Sequence, residues 1–110
     1  MPYDEELAER LREVLAGEAD VHERAMFGGR AFFVNGKMAV TASSRGGLMV
    51  RADPSRVPAL LARPGAEPLH MRGREMRGWL RVSPDAVRTK AALERWTSIG
   101  LVYARSLPPG

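Results

Sequence analysis

The 110-residue sequence contains no cysteine, which excludes disulfides, thiolate metal sites and a cysteine nucleophile together. Histidine occurs only at His22 and His70, with no HxH or HxxxH spacing, so no metal-ligand pattern is laid out. Lysine is as scarce: Lys37 and Lys90 are two of seventeen basic residues, and arginine supplies the other fifteen. No apolar run approaches the roughly 20 residues that a membrane span needs. The opening Met1-Pro2-Tyr3-Asp4-Glu5-Glu6 is acidic, where a secretory signal is basic and then apolar. Internal repeats, low-complexity tracts and linkers long enough to divide the chain are also missing. These absences predict a cytoplasmic single domain over residues 1–110, with no membrane partner.

What is present fits an ordinary globular chain: 45% hydrophobic and 27% charged residues. At this length the radius of gyration should be roughly 13 Å. The net charge of +4 is unevenly placed. Residues 1–29 hold eight acids against Arg10, Arg12 and Arg24, a net −5, and residues 30–110 hold fourteen bases against five acids, a net +9. With a pI near 10.3, that asymmetry points toward a polyanion. The preference for arginine and alanine is also what GC-rich coding produces, and the basic excess is spread over eighty residues with one denser place.

The hydrophobic pattern divides the chain into helices at the ends and strands between. Leu7, Leu11, Val14 and Leu15 recur at i, i+4, i+7 and i+8, one apolar stripe of a helix. Asp4, Glu5 and Glu6 sit in its first turn, where carboxylates oppose the helix dipole, and Gly17 is a natural left-handed stop. Strand signals follow: Arg24–Phe27 running into Gly28-Gly29, Ala31–Val34, Lys37–Ala42 and Leu48–Arg51. Asn35-Gly36 between two of them predicts a type I′ hairpin. Asp53-Pro54 is an N-cap with proline at N1, opening a helix of a turn or two that Pro58 limits. Pro64-Gly65 and Pro68 predict a loop, with short strands at Leu69–Met71 and Gly78–Val82. Ser83-Pro84 repeats the cap signature, and Thr89 caps a last helix striped by Leu93, Trp96, Gly100 and Tyr103. The expected architecture is α+β, a two-layer sandwich in which N- and C-terminal helices flank one face of an antiparallel β-meander.

Catalytic patterns find little support. Ser43, Ser44 and Thr41 stand beside a Gly46-Gly47 turn with no GxSxG elbow, which reads as turn formation. Glu67 and Glu75 could face each other across strands as acid and base, but nothing singles them out. Gly36-Lys37 resembles the end of a phosphate-binding loop, yet Ala31 stands at the first glycine position and Met38 replaces the magnesium-binding hydroxyl. The expectation is no enzyme and no cofactor.

Two features remain as candidate interaction sites. Met71 to Arg81 packs Arg72, Arg74, Arg77 and Arg81 with two glycines and Trp79 into eleven residues. Such a stretch could serve as a phosphate-contacting loop with a stacking ring. The favoured reading instead places Trp79 and Met76 in the core, because Trp79 with Leu80 and Val82 looks like a half-buried strand, and leaves the arginines to solvent or to acids. Phe32 and Phe33, in a strand, must face opposite sides of the sheet. One is core and the other needs a cover, which argues for a second protein chain, including a homodimer.

Glu23-Arg24-Ala25-Met26-Phe27-Gly28-Gly29, Ala31-Phe32, Asn35-Gly36-Lys37-Met38-Ala39, Met76-Arg77-Gly78-Trp79 and Ser106-Leu107-Pro108 together resemble the N-terminal domain of the TfoX/Sxy family. The resemblance runs from the Tyr3-Asp4 start of the first helix to Leu107. It implies a small α+β domain without assigned catalytic residues, acting in regulation through a protein partner. Founding members of the family regulate natural competence with a cyclic-AMP receptor-type transcription activator, and they carry a further helical domain. The expectation for this sequence is a stand-alone version of the first domain, a regulatory or adaptor module. The alternative is direct nucleic-acid binding through Arg72–Arg81.

Overall fold

A computed structural model describes residues 5–26 and 28–108. The expectations for Tyr3, Asp4 and Phe27 lie outside the described residues. Three helices, α1 (Glu5–Leu15), α2 (Val57–Leu61) and α3 (Lys90–Ser106), accompany six strands. The strands are β1 (Val21–Met26), β2 (Gly29–Val34), β3 (Lys37–Ala42), β4 (Leu48–Arg51), β5 (Ala66–Met71) and β6 (Arg74–Val82). Every pairing is antiparallel and the order is β1-β2-β3-β4-β6-β5. The first four strands are the expected meander. The last two depart from it: β5 runs out to the edge, and β6 returns between it and β4.

Alternation along the strands sends one row of side chains to the helices. Phe32, Val40, Val50 and Leu80 stand opposite one another across β2, β3, β4 and β6, and Ala42, Leu48 and Val82 form the next row. These residues make one core with Leu7, Leu11 and Leu15 of α1, Leu60 of α2, and Leu93, Trp96 and Leu101 of α3. All three helices therefore cover the same sheet face, and the Cα radius of gyration is 12.6 Å. The other face has no helix over it among the described residues.

Local signals account for much of this. Asn35 and Gly36 have φ of 51° and 78°, the left-handed pair that a type I′ turn needs. Asp53 Oδ1 accepts from the Ser55 amide at 2.9 Å, capping a 3-10 turn over Pro54–Arg56 that passes directly into α2 with Pro58 in its first turn. Thr89 Oγ1 accepts from the Ala92 amide at 3.1 Å, capping α3.

Five local readings need correction. Gly17 follows α1 but has no left-handed φ; Asp20 takes that conformation, at φ 60°, and its carbonyl accepts from the Asn35 amide. β2 begins at Gly29 rather than at Ala31. Pro68 lies within β5, which it can do because β5 is an edge strand whose outer side asks for no donor. Ser83 precedes the 3-10 turn Pro84–Val87 without a side-chain cap bond. The stretch from Met71 to Arg81 is a hairpin rather than a loop. Arg72 and Gly73, with φ of 54° and 76°, form its tight turn, and β6 occupies the rest.

Two irregularities break the alternation. Between β2 and β3 the register passes from Phe32–Val40 to Phe33–Met38, so Ala39 is an extra residue on β3. A Cβ placed on Gly100 of α3 would lie 2.4 Å from the Ala39 carbonyl oxygen. The bulge thus fits only because the helix has a glycine above it. Between β5 and β6, the two steps from Pro68 to His70 match five from Leu80 to Glu75. That excess contains Gly78, at φ 82°.

Charge ties α1 to the first two strands. Glu23 accepts two 2.7 Å bonds from Arg12, one at each carboxylate oxygen, and a third from Arg30 Nε at 2.7 Å. Arg12 and, secondarily, Arg30 hold its carboxyl well below the usual range, at about 2. Arg105 donates to Glu18 Oε1 at 2.7 Å and joins α3 to the segment after α1. Part of the acidic excess of the first 29 residues is therefore consumed internally.

Candidate interaction surface

The uncovered sheet face is assembled from the alternate residues of the same strands. Its central row runs Arg24, Ala31, Thr41, Met49, Arg81 and Glu67 from one edge to the other. The Ala39 bulge turns Met38 to this side, and Thr41 Oγ1 meets Met38 Sδ at 3.4 Å. The excess around Gly78 has a similar effect on β6. Met76 and Trp79, three residues apart, point into one cavity where strict alternation would separate them.

That cavity, of about 90 Å³, is lined by Met38, Met49, Leu69, Met71, Met76 and Trp79. Four of the six methionines of the chain are in it. Methionine sulfurs are polarizable and their side chains unbranched, so such a lining adapts to different shapes. Met76 is 37% exposed, one of two exposed large hydrophobic residues among those described; the other is Val102, 63% exposed, on α3. The sequence expectation of Met76 in the core is therefore corrected, and Trp79 is half-buried on the open face while Leu80 and Val82 are buried under the helices. A second depression of about 360 Å³ shares Met49, Leu69 and Met71 with the cavity. It continues toward Ser43, Ser44, Arg45, His70 and Arg72.

The six candidate residues from the sequence separate into groups. Phe32 is 2% exposed and belongs to the core. Phe33 is half-buried on the opposite face, as alternation requires, with the Arg24 guanidinium 5.7 Å from its ring centre. The chain itself thus supplies part of the cover that Phe33 needs, and only its cross-strand neighbour Met38 lines the cavity. Arg81 is a structural brace. Its guanidinium donates to Ser43 Oγ and to the carbonyls of Arg45 and Gly46, each at 3.2 Å, and lies 3.9 Å from Glu67. These contacts fix the β3–β4 turn against β6. Arg72, Arg74 and Arg77, all on the β5–β6 hairpin, are exposed and have no ion pair or side-chain hydrogen bond among the described residues.

The aromatic side chains here already have cations. Arg51, opposite Trp79 in the β4–β6 register, lies 5.9 Å from the Trp79 ring centre and 5.7 Å from that of Tyr103 on α3. A guanidinium within about 6 Å of two ring centres is attracted by both quadrupoles. The residues weighed for catalysis from the sequence and set aside are dispersed or structurally used. Thr41 is buried under the open face, and Ser43 Oγ bonds Arg81 and the Arg45 amide. Glu67 pairs in register with Arg81, and Glu75 with His70.

Sequence reasoning missed the methionine cavity. Met49, Leu69 and Met71 follow simple alternation and were available to it, but Met38 and Met76 reach the open face only through register irregularities with no local signature. Among the described residues, no helix is long and apolar enough to cross a membrane. A comparison with curated proteins finds no match. A scan against family models matches the TfoX N-terminal domain over residues 13–103, which takes in the whole sheet, the hairpin and nearly all of α3. The chain belongs to the TfoX N-terminal domain family.

Proposed function

We propose that this chain is a non-enzymatic regulatory adaptor that docks a protein partner on its uncovered sheet face. One observation carries the reading: an apolar cavity of methionines and Trp79 lies open on that face, and the hairpin that supplies Met71, Met76 and Trp79 also carries Arg72, Arg74 and Arg77, which have no ion pair or side-chain hydrogen bond among the described residues. Exposed apolar groups of this kind, rimmed by polar ones, mark interaction sites more often than they fill cores. The family's founding members work in competence regulation alongside a transcription activator, which supports a transcription regulator as the partner and a cytoplasmic setting.

A photo-crosslinking residue in place of Met76, compared with one in place of Val102, tests the docking face in cells. Protein adducts should form from position 76 and not from position 102. Adducts from position 102 alone, or none from 76, would remove the docking reading. The free arginines favour a second reading, nucleic-acid binding. Anisotropy of labelled duplex DNA and single-stranded RNA decides between them: phosphate contacts weaken steeply with salt, whereas an apolar interface persists.

A further inference from the structure

The open face carries both an apolar cavity and a rim of one charge sign, and together they select the chemistry of what binds there. The cavity has room for a single apolar side chain, at about 90 Å³. Its walls are mainly thioethers, which accept aliphatic and aromatic shapes alike. On the same hairpin Arg72 follows Met71 and lines the adjoining depression, Arg74 pairs with Met71, and Arg77 follows Met76; none of the three has an ion pair among the described residues. Glu75 is the hairpin's own carboxylate, and Glu67 already faces Arg81. Guanidinium groups beside apolar surface bind carboxylates more strongly than in open water, because the local dielectric is lower and the fork geometry matches.

We propose that this face takes an acidic amphipathic segment of a partner protein. One large apolar side chain enters between Met71, Met76 and Trp79, and aspartates or glutamates within a few residues of it meet Arg72, Arg74 and Arg77. The proposal rests on the docking reading above and names its partner's chemistry. Two other occupants fit less well. Nucleic acid supplies phosphates for the arginines but nothing apolar for the cavity. Stacking also needs free ring faces, and Arg51 and Arg24 already occupy a side of Trp79 and Phe33. A second copy of the chain offers Val102 as its other exposed apolar side chain. The positions three and four residues either side of Val102 on α3 are Ser98, Ile99, Arg105 and Ser106, so self-docking through Val102 would bring no carboxylate of α3 to the hairpin arginines.

The test uses the wild-type chain and three labelled synthetic peptides of about fifteen residues. The first combines Asp and Glu with Leu and Phe at helical spacing; the second replaces every acid by Lys; the third replaces every apolar residue by Ala. The first should bind at roughly micromolar Kd, and each replacement should weaken binding at least tenfold. With methyl-labelled methionine, the signals of Met38, Met49, Met71 and Met76 should shift on binding, and that of Met26 on the far edge strand should not. Arg72→Glu with Arg74→Glu should weaken the first peptide at least tenfold and leave the Met26 signal in place. Met76→Ser gives an independent variant that leaves the arginines intact and should also weaken binding.

Equal binding of the lysine peptide, or shifts away from the cavity, would overturn the proposal. So would displacement of the first peptide by a labelled single-stranded DNA that shifts the same four methyls, or shifts that depend on protein concentration alone. If position 76 crosslinks to protein in cells while the acidic peptide does not bind, docking stands and the acidic occupant falls. If neither occurs, both fall.

Discussion

Glu23 illustrates how much one side chain's surroundings decide. On β1 it lies among core-facing positions, where an unpaired carboxylate would be costly, yet Arg12 and Arg30 give it three charge-assisted bonds. Its folded pKa of about 2, against an ordinary 4.5, sets the sign of the pH effect. Its contribution is complete above the unfolded value and is lost as pH falls from 4.5 toward about 2. Glu23→Gln should therefore cost on the order of 1 kcal/mol at neutral pH, since the group is partly solvated. It should also flatten the acid limb of the stability curve between those values, as read by urea unfolding at several pH values. Unchanged stability at pH 7 would mean that the three bonds only balance their desolvation. The strand signals in the sequence begin at Arg24, one residue after Glu23, and carry no sign of this role, because both arginines come from other elements.

At the scale of elements, legibility followed the range of the signal. The Asn35-Gly36 turn, the Asp53 and Thr89 caps and the Leu7/Leu11/Leu15 stripe depend on neighbours within one or two turns, and each formed as read. Arg72-Gly73 forms an equally tight turn, but arginine is uncommon at positive φ and hid it. The Ala39 bulge was illegible because it is a relation between β2, β3 and α3. That relation yields a prediction about Gly100. Helix propensity alone favours Gly100→Ala by about 1 kcal/mol. The added Cβ would lie 2.4 Å from a backbone oxygen, so the substitution should instead destabilise by roughly 1–3 kcal/mol. Thermal melts of the two proteins give the sign directly, and a raised Tm would show that α3 can lift from β3 at little cost.

For the molecule as a whole, size was legible in the length, and the α+β class in the order of helical and strand patterns. Strand order was not available from it, since placing β6 between β4 and β5 depends on which apolar rows meet. Net charge was legible too, but its distribution in three dimensions was not: Arg81, Arg12 and Arg105 are engaged internally, while Arg74 and Arg77 have no side-chain partner among the described residues. Arg74→Glu with Arg77→Glu lowers the net charge from +4 by four units, to zero. Because neither side chain has a partner, the stability change should stay within about 0.5 kcal/mol. Solubility near neutral pH should fall as repulsion between molecules disappears. Chemical denaturation and a precipitation curve separate the two effects, and an unfolded variant would mean that the arginines brace the hairpin.

The three surplus residues of β6 around Gly78 divide the β5–β6 hairpin into a root and a tip. The root, with Leu80 and Val82, is part of the core, whereas residues 72–77 are exposed at every position. Changes at the tip therefore leave the packing beneath the helices untouched. A lineage can vary this tip residue by residue while inheriting the stability of the core intact.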